Sequence, residues 1–252
     1  MKERPVILNS EMVRAILDGR KTQTRRVMKV QPKPSETRPG DFWFSSKKLE
    51  SMVHVSDFMP GSSPIADCHL FFQEHCCPFG QVGDRLWVRE TWGVVSHDLD
   101  ENGRIIDWIP DRPAKAIHEM PFGNGYYSGH AIYAADGEFV WGDDDGHGER
   151  SCWKPSIHMP RTACRILMEI TAVRVERLND ISQEEAQAEG MGLTGWVPSY
   201  SNPDNAGFDE TFTPYDNFAM LWESIYGVDS WNANPWVWVI EFRRVGGSDA
   251  SK

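Results

Sequence analysis

Residues 235–243, Pro-Trp-Val-Trp-Val-Ile-Glu-Phe-Arg, carry the clearest strand pattern in the chain. Trp236, Trp238, Ile240 and Phe242 fall on one side at a period of two. Residues 164–178 also read as strand, with Ile166, Met168 and Ile170 and then Val173 and Val175 as apolar positions. Gly80-Gln-Val-Gly-Asp84 marks a turn, and residues 85–90 alternate after it.

Helices are fewer and short. Asn9 or Ser10 caps a helix carrying Met12, Val13, Ile16 and Leu17, with Gly19 at its end. Ser182 and Glu185 are spaced as a capping box for about two turns through Glu189, stopped by Gly190. Phe218, Leu221, Trp222 and Ile225 mark a last helical face before Gly227. With 21 Gly and 16 Pro in 252 residues, turns are frequent. The pattern predicts an α+β, mainly β fold: a small mixed or antiparallel β-barrel with insertions at about 31–78 and 96–155. One domain is expected over 1–245, followed by a disordered tail at 246–252. No apolar run approaches the ~20 residues of a membrane span, and no secretory h-region opens the chain. A cytoplasmic location is expected.

Residues 19–26, Gly-Arg-Lys-Thr-Gln-Thr-Arg-Arg, put four cations and two hydroxyls into eight positions. In an extended segment Thr22, Thr24 and Arg26 share one face and Lys21, Gln23 and Arg25 the other. An apolar core has no use for such a run, so water or an anionic, hydrogen-bonding ligand must satisfy it. The net charge is −11, yet residues 1–30 hold eight basic against three acidic side chains. A protein gripping long duplex neutralises many phosphates and is basic overall. An acidic body with one cationic concavity suits a nucleoside, a nucleotide or a short single strand instead.

Other residues invite weighing. Arg85, Trp87 and Arg89 share one face of their strand, an arrangement suited to base stacking with phosphate contact, or to an ordinary exposed indole between arginines. Ser156, His158 and Arg161 stand on a rigid connector as possible ligand contacts. Cys68, His69, His75, Cys76 and Cys77 crowd together, with Cys152 a distant sixth. They lack a paired C-x-x-C, so free thiols are favoured over a metal site. Asp143–Asp145 lack the spacing of a calcium loop and read as a solvated turn. No metal and no cofactor is expected. No Walker loop, Rossmann fingerprint or Gly-x-Ser-x-Gly elbow is present.

Four segments together resemble ASCH domains of the PUA-like superfamily, in the long form found in phages and prophages. They are Ile16-Leu-Asp-Gly-Arg-Lys-Thr-Gln-Thr-Arg-Arg26, Gly83-Asp-x-Leu-Trp-Val-Arg-Glu90, Ile181-x4-Ala186-x2-Glu189-Gly190, and Trp236-Val-Trp-Val-Ile-Glu-Phe242. The resemblance covers about 5–30, 80–95 and 160–245. It implies a PUA-like barrel and, through similarity to the small bacterial N4-acetylcytidine amidohydrolases, a catalytic set of Lys21, Thr24 and Glu189. Arg20, Thr22, Arg26, Trp87 and Arg89 are then the substrate-binding candidates. The implied reaction is hydrolysis of an N-acylated pyrimidine nucleoside, with threonine as nucleophile, lysine as base and glutamate as proton handler. The superfamily also includes non-catalytic readers of modified bases or single-stranded nucleic acid, and a ribonuclease reading stands between the two.

Overall fold

A computed structural model describes residues 1–59, 71–72, 75–141, 152–191 and 213–245. In chain order its elements are β1 (Glu3–Ile7), α1 (Ser10–Leu17), β2 (Gln23–Val27), β3 (Lys33–Pro34), β4 (Phe42–Ser46) and β5 (Ser51–His54). Next come β6 (Arg85–Arg89), β7 (Trp92–Val95), β8 (Asp98–Leu99), β9 (Ile105–Ile106), β10 (Lys115–Phe122) and β11 (Gly125–Tyr133). The last are β12 (Leu167–Arg177), α2 (Gln183–Ala188), α3 (Pro214–Tyr226) and β13 (Trp236–Val245). The chain forms two compact units. The first comprises Met1–Lys2, Asp18–Arg85 and Glu169–Arg243, the second Glu3–Leu17, Leu86–Met168 and Arg244–Lys252.

In the first unit, β13 lies between β12 and β2. Its antiparallel register with β2 sets Gln23 opposite Glu241, Thr24 opposite Ile240 and Arg25 opposite Val239. Residues 236–240 are all buried, so both faces of this strand are covered and its apolar residues run without alternation. A small antiparallel sheet, β3-β4-β5, and the 3-10 turn Val55–Phe58 after it supply rings to one face. Phe44 and Phe58 meet Trp238 edge-on at 6.1 and 5.5 Å, and Phe42 lies 5.0 Å from Trp236. Phe44 and Phe58, both buried, each stabilise the fold by about 1.5–3 kcal/mol. The expected caps form: Ser182 Oγ accepts from Glu185 N while Glu185 returns to Ser182 N, and Gly190 follows with φ 99°. Thr213 and Asp216 build a second capping box at the start of α3, with Pro214 in its first turn.

In the second unit, Asn9 Oδ1 accepts from Met12 N and so serves as the cap of α1. The sheet β10-β11-β7 carries much of the core, in which Trp87, Trp92, Tyr133 and Met159 pack together. A register shift between Ile117 and Met120 bends β10, with Glu119 at φ 44°. Opposite it Gly129 adopts φ 125°, and a Cβ there would fall on Val95 O and within 2.7 Å of Ser96 Cα. Both obstacles are backbone and cannot swing aside. Gly129→Ala is therefore expected to cost about 3 kcal/mol, combining left-handed strain with a displaced β7. Urea unfolding measures this; an unchanged midpoint would contradict it.

One expectation needs correction. Among the described residues the sheets are open rather than closed into a barrel: the largest, of five strands, has β1 and β2 as its two unjoined edges. Closure requires the first and last strands of one sheet to pair, and the strands of the presumed insertions are spent instead on separate two- and three-stranded sheets. The stretch 31–78 contains β3-β4-β5, and 96–155 contains β8 to β11. The tail at 246–252 and the acidic turn at 143–145 lie outside the described residues.

Candidate functional site

The strip at 19–26 and the end of α2 converge within the first unit. Gly19 adopts φ 75° as the chain leaves the helical segment. Thr22 N then donates to Ala188 O at 2.8 Å, Phe242 N donates to Thr22 O at 2.8 Å, and Lys21 and Glu189 form an isolated antiparallel bridge. Backbone pairing on both sides thus fixes residue 21 against the C-terminus of α2.

Lys21 and Glu189 sit at the centre, each 2% exposed. Lys21 Nζ donates to Glu189 Oε2 at 2.6 Å and to Glu189 O at 2.8 Å. Burial holds the lysine below its ordinary value, assisted by the charges of Arg26 and Arg25 and opposed by the Glu189 carboxylate. Arg25 Nη1 reaches Glu189 Oε1 at 3.3 Å. Its other nitrogens bind Glu176, with Nε to Oε1 at 3.0 Å, and Glu185, with Nη2 to Oε2 at 3.0 Å. Arg174 bridges Glu176, Glu185 and Glu241. Gln23 Nε2 donates to Glu185 O at 2.7 Å. Gln23 and Arg25 therefore turn toward α2, as period two requires.

Three cations, Lys21, Arg25 and Arg174, thus meet four carboxylates, Glu176, Glu185, Glu189 and Glu241. The cluster carries no surplus positive charge. It can hold a lysine in a nearly dry setting beside a proton acceptor, which is the setting of a tunable base. It cannot offer Lys21 or Arg25 to a phosphate without breaking an internal ion pair.

The remaining candidates divide. Thr24 is buried, 3% exposed, on the pleat face opposite Gln23 and Arg25; the bonds of Lys21 Nζ go to Glu189 and not to Thr24. Thr22 is exposed. Arg20 is half-exposed and binds Gly190 O at 2.8 Å and Asp18 at 3.0 Å. Arg26 is partly buried and adds positive charge near Lys21.

Trp87 does not present an open face for a base. It is 7% exposed in the core of the second unit, and Arg89 of the same unit lies over its ring at 4.8 Å while donating to Ile157 O. The alternation of residues 85–89 was legible; that both faces of β6 are covered was not. Among the described residues no group of three or more His, Cys, Asp or Glu is placed to hold a metal. Cys76, Cys77 and Cys164 are buried and Cys152 is exposed, all as free thiols, and Cys68 and His69 lie outside the described residues. His158 and Arg161 are exposed on short 3-10 turns, Arg161 pairing with Glu3 at 2.8 Å.

The sequence reading passed over Arg25, Arg174, Glu176 and Glu241 as site members. Alternation did put Arg25 beside Lys21, and that was the available signal. Asn217 of α3 was also missed: it is fully buried, with neither side-chain amide atom bonded among the described residues. No helix among the described residues is long and apolar enough to cross a membrane. Comparisons with protein-family models, with curated proteins and with solved structures return no match.

Proposed function

We propose that this chain is an amidohydrolase acting on an N-acylated pyrimidine nucleoside such as N4-acetylcytidine, with Lys21 as base, Thr24 as nucleophile and Glu189 as proton handler. The observation that carries the reading is the buried Lys21–Glu189 pair, 2.6 Å apart and drawn from positions 168 residues apart. A lysine serves as a base only when its neutral form is accessible, and burial moves Lys21 in that direction. Glu189 at hydrogen-bond distance provides a place for the proton. The likeness of four sequence segments to ASCH domains belongs to the same proposal.

In this mechanism Lys21 first passes its proton to Glu189; as the neutral amine it must then swing from Glu189 to the opposite pleat face, where it takes the Thr24 hydroxyl proton as Thr24 Oγ1 attacks the amide carbonyl. Collapse of the tetrahedral intermediate expels the exocyclic nitrogen, which takes a proton from Glu189 or Lys21. Water then hydrolyses the acyl-threonine to acetate, regenerating the hydroxyl. The internal neutralisation of Lys21, Arg25 and Arg174 supports an uncharged nucleoside over a phosphate-bearing strand, and so weighs against the reader and the ribonuclease.

The test is direct. Purified protein and N4-acetylcytidine should yield cytidine and acetate in equal amounts, and Thr24→Ala should lower turnover by about 100-fold or more with folding retained. Turnover unaffected by Thr24→Ala would assign the attack to water. No turnover on a panel of acylated nucleosides, with single-stranded RNA still bound, would replace the hydrolase with the reader.

A further inference from the structure

A cavity of about 350 Å³ opens in the first unit, walled by the rings of Phe44, Phe79 and Trp238 and lined also by Lys29, Lys47 and Lys48. Its size falls within the range of small-molecule sites, roughly 300–1,000 Å³. The composition of its lining is one-sided. No carboxylate lines it among the described residues, although acidic side chains outnumber basic ones 37 to 26 in the chain. The three lysines are exposed. Lys48 donates to Cys77 O at 3.2 Å, and among the described residues no carboxylate forms an ion pair with it. Asp57, the acid whose charge reaches the cavity-lining Cys76, is itself held by Arg38 at 2.8 Å.

Three like charges gathered around an aromatic hollow repel one another and raise the local potential. An anion relieves that repulsion, while the rings exclude water from an apolar body. We propose that this cavity is a binding site for a small aromatic monoanion, a flat apolar ring system bearing one carboxylate. The rings contact the ligand body and the lysines contact its head. Trp238 meets Phe44 and Phe58 edge-on, so its position is fixed by neighbours and the wall is formed in advance of any ligand. The proposal uses none of the residues assigned to hydrolysis and stands apart from that reading.

The experiment titrates the full chain with 1-naphthoate and with its uncharged counterpart 1-naphthamide, by calorimetry at low salt. Naphthoate is expected to bind about tenfold more tightly than the amide, since each of three exposed lysines adds a modest attraction to the carboxylate. Substituting all three as Lys29→Gln, Lys47→Gln and Lys48→Gln should erase the difference; these positions are exposed, and an unchanged melting curve verifies folding. Val30 also lines the cavity and is 40% exposed, so Val30→Trp should occlude the cavity without disturbing the core and abolish binding of both compounds. Equal affinity for acid and amide, indifference to the lysine substitutions, retention of binding in Val30→Trp, or no naphthoate binding at millimolar concentration would each overturn the proposal.

Discussion

Arg165→Met is expected to destabilise the second unit by about 3–5 kcal/mol at neutral pH, a large part of the margin of an ordinary domain. Arg165 clamps Glu90 with Nε to Oε1 at 3.0 Å and Nη2 to Oε2 at 2.8 Å. Its Nη1 binds both oxygens of Asp136, at 2.9 and 2.7 Å. The guanidinium also lies 3.9 Å from the Tyr133 ring centroid, and Tyr133 in turn donates to Ala163 O. Glu90 is 1% exposed, so methionine would strand a carboxylate with little access to water. The pH dependence gives this prediction a second handle. Burial already raises Glu90 above its ordinary value, and Arg165 is the chief opposing influence. A carboxyl raised in the folded state contributes stability below its unfolded value, and that contribution is lost as pH climbs through the folded value. Removing Arg165 raises the folded value further. The variant should therefore come closest to the parent in acid, near or below 4.5, and diverge as pH rises to neutrality. Urea unfolding at several pH values measures the effect; a deficit that is small at pH 7, or that grows toward acid, would contradict the argument.

Much of the first unit's site was legible because it rests on short-range rules. Period two grouped Lys21, Gln23 and Arg25, and the capping box at Ser182 and Glu185 together with Gly190 bounded the helix that delivers Glu189. Their convergence was less accessible, since no local rule joins residues 168 positions apart; only the resemblance of segments suggested it. The strands in 96–155 escaped notice for a specific reason. The shift between Ile117 and Met120 breaks the alternation of β10, and the buried positions Ile117 and Met120 are spaced three apart, as on a helix. β3 is only two residues long, too short for any period to show. Trp87 was misjudged because alternation names two faces without telling which of them a neighbouring layer covers. The barrel failed similarly: individual strands can be read from sequence, whereas closure depends on which edges meet.

Lys21→Met is expected to abolish hydrolysis, lowering turnover by about 100-fold or more, and to cost about 3 kcal/mol because Glu189 loses its nearer partner in a buried setting. Loss of activity alone would then be ambiguous between a missing base and a weakened fold. The double variant Lys21→Met with Glu189→Leu separates them. Replacing a whole buried pair by apolar groups is neutral or stabilising by about 1–4 kcal/mol, because both desolvation costs vanish together. The double variant should therefore fold as well as the parent and still fail to release acetate from N4-acetylcytidine. The titration of Lys21 distinguishes the two further. With its folded value below 10.5, the native state releases the proton before the unfolded chain does. Parent stability therefore gains as pH rises through the interval below 10.5, and parent turnover rises with it as the neutral amine accumulates. Neither trend should survive in the double variant. Retained turnover in a well-folded double variant would remove Lys21 and Glu189 from the chemistry and leave their pairing a structural device between the 19–26 strip and α2.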